Sequence, residues 1–142
     1  MMGTVYADIT IKNAGDLVMA KKGHLKEDNI RETTVNAIVD TGAGTLVISE
    51  ELRRQLGLEV RKEQVVTLAN NVKETVKITE PVEIHWKNRD TVCLPWVVPI
   101  SPKVLLGAIP LEDMDLIVDP KNEELTGRHG EEIHGYLFGM RT

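Results

Sequence analysis

From its fifth residue the chain alternates apolar and polar positions. Val5, Ala7, Ile9 and Ile11 fall on one side and Tyr6, Asp8 and Thr10 on the other, the period of a half-buried strand. The alternation lapses over residues 13–30, which hold Gly15, Gly23 and the run Lys26-Glu27-Asp28; this stretch reads as a long loop with room for one helical turn. A strand resumes over 31–39, and a short apolar run follows at 45–48. Next comes a well-punctuated helix. Ser49 can cap it, Glu50 and Glu51 sit in its positive first turn, and Gly57 after Leu56 supplies a left-handed stop.

Strands over 58–68 and 72–78 flank Ala69-Asn70-Asn71, and Asn tolerates the positive φ of a hairpin tip. Strands over 81–86 and 91–98 flank a second polar tip, Lys87-Asn88-Arg89-Asp90. Pro99 and Pro102 break the sheet pattern. Val104-Leu105-Leu106-Gly107 is apolar and ends in Gly, and a short helix is predicted from Pro110 to about Met114, with Pro in its first turn. Leu116–Val118 reads as a further strand, and Leu125 as part of a last one. The tail after Gly127 shows no period. Short strands at roughly 8–12-residue spacing with two short helices predict a mainly β protein with a closed or sandwiched sheet.

Composition narrows this picture. At 142 residues the chain reads as one domain, 1–142, with no linker. Only 4% of residues are aromatic, so the core must be built from Val, Ile and Leu, which favours strands. A net charge of -5 with both signs interspersed leaves no basic stripe, so nucleic acid is not an expected partner. Cys93, between Val92 and Leu94, reads as a small buried hydrophobe; one cysteine allows no internal disulfide and suits a reducing compartment. No signal-peptide pattern opens the chain, and no window approaches the ~20 apolar residues of a membrane span. The expectation is a cytoplasmic protein with no membrane partner.

The candidate chemistry lies in a tripeptide that occurs twice. Ile38-Val39-Asp40 runs into Thr41-Gly42-Ala43-Gly44, while Ile117-Val118-Asp119 runs into Pro120. Gly42 and Gly44 let the backbone turn sharply and bring N–H groups near Asp40. A carboxylate that accepts such bonds ionises more easily. A lone carboxylate is a weak catalyst of amide hydrolysis. Two that share a proton are effective, because like charges about 3 Å apart cannot both ionise, leaving one as base and one as acid. Pro120 has no N–H to offer, so Asp119 is not expected in an equivalent turn. A pair would then need Asp40 from a second copy, placed by a two-fold axis.

Ala37-Ile38-Val39-Asp40-Thr41-Gly42-Ala43 resembles the active-site signature of retropepsin-like aspartic proteases, and Leu105-Leu106-Gly107 before a short helix resembles a later element of the same family. The likeness covers residues 31–126 and extends to small prokaryotic members. It implies a closed acid-protease β-barrel that forms half of a homodimer. It also implies an endopeptidase acting on peptide or protein substrates without a cofactor. Asp40 would be the catalytic carboxylate. Thr41 would hydrogen-bond across the dimer axis, and Gly42 would allow close approach of the partner aspartate. Ala43 and Gly44 would line the substrate cleft. Leu68, Ala69, Asn70 and Asn71 would form a flap that closes over substrate and excludes water. The family often carries a polar or acidic residue where this chain has Gly44. Tyr136, Leu137 and Phe138 read as either a frayed end or, as the resemblance favours, a segment that packs on the partner subunit.

Other readings carry less. Gly42-Ala43-Gly44-Thr45 lacks the Lys of a phosphate loop and the third glycine of a dinucleotide fingerprint. His129 and His134, five apart, do not stack on one helical face; they read as solvent-exposed, His24 and His85 read as isolated, and no metal site is assigned. The alternative to an enzyme is a catalytically silent dimer of the protease fold that binds peptides or self-associates.

Overall fold

A computed structural model describes residues 4–99 and 103–135. In chain order the elements are β1 (Tyr6–Asn13), α1 (Ala14–Lys21), a 3-10 turn (Glu27–Asn29), β2 (Glu32–Val39), β3 (Val47–Ile48), α2 (Glu50–Gln55), β4 (Val60–Thr67) and β5 (Lys73–Thr79). They continue with β6 (Val82–Trp86), β7 (Arg89–Cys93), β8 (Trp96–Val97), β9 (Leu105–Leu106), α3 (Ala108–Asp113), β10 (Leu116–Asp119) and β11 (Glu124–Gly127). Nine strands form one sheet in the order β4-β5-β8-β3-β9-β2-β1-β6-β7, and β10 and β11 form a separate ribbon. The sheet is strongly curled. The expected closed barrel is realised as a half-barrel of retropepsin-like type, with β4 and β7 as its two edges. No helix among the described residues is long and apolar enough to cross a membrane.

The alternation seen in the sequence determines which face is inside. Val5, Ala7, Ile9 and Ile11 of the first strand region are buried, as are Val82, Ile84 and Trp86 of β6. All of these except Val5 form one cluster with Leu46, Ile48, Leu52, Leu56, Leu106 and Met114, mostly aliphatic as the composition requires. Ser49 caps α2 by accepting a hydrogen bond from the Leu52 N–H, and Gly57 ends the turn at φ +64°.

Three expectations change. The segment expected to be a long loop contains the eight-residue helix α1. Its periodicity is too weak to read, because tertiary polar bonds hold it. Asn13 Oδ1 accepts the Asp16 N–H, Asn13 Nδ2 donates to the Leu56 carbonyl at 2.8 Å, and Arg31 donates to both oxygens of Asp16 at 2.8 Å. The strand predicted over 91–98 is two strands. Pro95 interrupts it, and the chain leaves β6 to pair with β3 and β5 instead. The second hairpin tip is also shorter than expected, since Trp86 already pairs with Arg89 and Lys87 takes φ +49°.

Cys93 is half-buried rather than fully enclosed, and desolvation pushes its thiol up to about 11. The tail tripeptide Tyr136-Leu137-Phe138 lies outside the described residues.

Candidate active site

Asp40 follows the last residue of β2, a strand with neighbours on both sides. β1 pairs with it antiparallel through Tyr6–Ile38, and β9 pairs with it parallel through Ile38–Leu105 and Val39–Leu106. The ladder extends to the carboxylate residue itself. Val39 N–H donates to Val5 O at 2.8 Å, and Asp40 N–H donates to Leu106 O at 3.0 Å. Leu106 is fully buried, which contributes about 2 kcal/mol and anchors that contact.

Beyond Asp40 the chain turns at once. The Gly42 N–H donates to Asp40 Oδ1 at 2.9 Å, and the Ala43 N–H donates to Asp40 O at 3.1 Å. A Cβ on Gly42 would sit 3.1 Å from Asp40 Oδ1, so the glycine lets the amide reach the carboxylate. Thr41, Gly42 and Gly44 are exposed, and Ala43 and Asp40 half-buried. Among the described residues Asp40 Oδ2 has no hydrogen-bond partner, and one oxygen of the group is therefore available.

The far side of this turn is held by α3. Ala108 N–H donates to Ala43 O at 2.8 Å and Ile109 N–H to Gly44 O at 3.0 Å. The first amides of a helix lack internal acceptors, and here the loop carbonyls supply them. Gly107 makes the approach possible: a Cβ there would lie 2.3 Å from Thr45 O and 2.5 Å from Ala43 O. Leu105-Leu106-Gly107, the run whose resemblance to a later family element the sequence already carried, is thus the strand and hinge that clamp the Asp40 turn. The helix begins at Ala108, two residues before the predicted Pro110.

The repeated tripeptide returns to the same place. Val118 and Pro120 line a shallow recess with Thr4, Val5, Ile38, Val39, Asp40 and Thr41. Asp119 is engaged elsewhere. Its Oδ1 accepts the N–H groups of Lys121 (3.1 Å) and Asn122 (3.2 Å), and its Oδ2 accepts Asn122 Nδ2 at 2.8 Å. The Asn122 side-chain bond first, and then these amides, hold the carboxyl below the usual carboxylate range.

Among the described residues no hydrogen bond joins the predicted flap residues to the Asp40 turn. Leu68, Ala69, Asn70 and Asn71 cap the β4–β5 hairpin, where Leu68 N–H donates to Val72 O at 2.8 Å and Asn71 takes φ +64°. All but one residue of the edge strand β4 is exposed, while β5 joins the hairpin to β8.

A larger concavity lies on the other side of α3, lined by Ile109, Asp113, Asp115, Arg128 and His134 among others. Sequence reasoning did not foresee it. Here His129 is not the solvent-exposed residue expected: its Nδ1 is 2.7 Å from Asp115 Oδ2, and its ring stacks on His134 at 4.1 Å. Buried Arg89 donates to the carbonyls of Met114, Asp115 and Gly130. Burial opposes ionisation of Asp115, but bonds from His129 and the His134 N–H, with the charge of Arg89, hold its carboxyl low. These bonds tie the tail to β7. Both bonds to Asp115 fall on Oδ2 and its Oδ1 faces Arg128 Nε at 4.0 Å; the carboxylate is buried, whereas that of Asp40 is half-buried.

A curled half-barrel whose Gly-rich acidic turn is clamped by an apolar strand, a glycine and a short helix defines a retropepsin-like protein. A family model described as aspartyl protease matches residues 28–137, and the chain belongs to that family. A comparison with curated proteins finds no match.

Proposed function

We propose that the protein is an aspartic endopeptidase whose catalytic water is held between the Asp40 carboxylates of two identical chains. The observation that carries this reading is the state of Asp40: fixed through its backbone, bonded by one carboxylate oxygen to Gly42, and free at the other. A second such turn is lacking among the described residues, because Asp119 spends both oxygens locally. One Asp40 as base takes a proton from water, which attacks the peptide carbonyl; the protonated partner donates to the developing oxyanion. Thr41 holds the two turns together across the axis, Ala43 and Gly44 face the substrate backbone, and the tip from Leu68 to Asn71 closes over it.

The test is peptide-library cleavage over a range of protein concentration, with sedimentation run in parallel. Specific activity is expected to fall as the protein is diluted below its dimer constant. Mixing in excess Asp40→Asn chain should suppress wild-type activity through mixed dimers. Full activity from a monomer would exclude the shared pair, and a dimer that binds peptides without cutting them would favour the silent module.

A further inference from the structure

Three groups meet on the outer face of the sheet, away from Asp40. Glu83 and His85 are two apart on β6, so both stand opposite the buried Val82, Ile84 and Trp86. Asp90 of β7 pairs directly with His85, which brings it to the same face. One possible ligand atom from each residue lies within 4.8 Å of the other two. The hairpin fixes this placement with a tip of only Lys87 and Asn88 between the paired Trp86 and Arg89.

His85 is poorly served by its own protein. Its Nε2 lies 2.7 Å from Glu83 Oε1, yet the atom is screened from water and the approach lacks the direction of a hydrogen bond. Neighbours do not complete the arrangement. Thr10, beside His85 on β1, has its hydroxyl paired with Thr34. Lys12, opposite Glu83, forms no ion pair among the described residues. Two carboxylates and a ring nitrogen therefore lie within 4.8 Å of one another, a donor set that a cation can bridge.

We propose that Glu83, His85 and Asp90 bind a divalent transition-metal ion, Zn2+ foremost, with water in the fourth position. One imidazole with two carboxylates suits zinc, whereas Ca2+ seeks six or more oxygens. Tetrahedral zinc with bonds of about 2.1 Å sets its ligands about 3.4 Å apart, which side-chain rotation on an open face can reach. In the sheet β1 and β6 lie outward of β2 on this side, so the ion takes no part in hydrolysis at Asp40. It bridges β6 to the edge strand β7. The sequence reading assigned no metal site, because His85 stands alone until the hairpin folds.

The experiment is calorimetric titration of Zn2+ into the full, metal-free chain, with Co2+ absorption as a second readout. One ion per chain with Kd of about 10 µM or tighter is expected, with a rise in Tm on adding zinc. His85→Ala should weaken binding by at least about tenfold, since even a group behind a metal ligand is worth about 10–100-fold. Glu83→Gln with Asp90→Asn should do the same, and both variants should keep the wild-type circular dichroism without metal. A His129→Ala/His134→Ala variant should bind like the wild type. The proposal is overturned if the intact chain gives neither heat nor a Co2+ spectrum, or if binding survives loss of His85 and vanishes with His129 and His134.

Discussion

The two Ile-Val-Asp segments share three residues and diverge in use. Asp40 ends a strand paired on both sides, and its turn is gripped from behind by α3. Asp119 ends a two-stranded ribbon, and its carboxylate folds back to organise its own turn through three hydrogen bonds. In the first case external backbone groups supply the rigidity, so the side chain keeps an oxygen free. In the second the side chain supplies the rigidity and is consumed. What makes a carboxylate available for chemistry is therefore who holds the turn, rather than the residues that precede it.

The comparison breaks most directly by exchanging each carboxylate for its amide. Asp40→Asn should lower peptide cleavage by at least about a thousandfold, with Tm unchanged; Asp119→Asn should cleave like the wild type. Equal activity in the two variants would end the distinction.

Gly107→Ala attacks the clamp. Its new Cβ would collide with Thr45 O and Ala43 O, and these are backbone atoms that cannot swing aside. A loss of about 3 kcal/mol is expected in urea denaturation, together with loss of activity.

A finer contrast lies within the turn. Gly42→Ala puts a methyl 3.1 Å from Asp40 Oδ1 and should reduce kcat. At Gly44 a Cβ meets nothing within 4 Å, so Gly44→Ala should stay within about 0.5 kcal/mol of wild type in stability. Similar losses from both would mean that the amide of Gly42 does not position the carboxylate.

The smallest effect is the pH dependence of Asp119. Its folded value lies below the ordinary 3.8. The sign follows: its stabilisation is complete above about 3.8 and disappears as pH falls through the lower folded value. Thermal melts of wild type and Asp119→Asn should differ slightly at neutral pH and converge in strong acid. A difference that persists there would assign the effect to packing.

Much of the fold is legible in the residues. The alternation in β1 and β6, the Ser49 and Gly57 punctuation of α2 and the Asn-rich tip of β4–β5 each need only local physics. α1 was hidden because its register depends on Asp16 meeting Arg31 and Asn13 meeting Leu56, contacts between distant residues. The split at Pro95 is written in the chain, but which strands β8 then joins is not. At the candidate site, Asp40 and its glycines stand out by their pattern. The tail histidines did not, because the bond from His129 to Asp115 spans a segment without period.

The sequence by itself determined a mainly β chain with an aliphatic core and one Gly-rich acidic turn, because periodicity, capping and turn chemistry act over a few residues. Only the tertiary structure decided which aspartate keeps a free oxygen, that Gly107 must carry no side chain, and that Glu83, His85 and Asp90 share a face. Those outcomes rest on strand register and on the approach of backbone atoms far apart along the chain, and short-range preferences do not encode either.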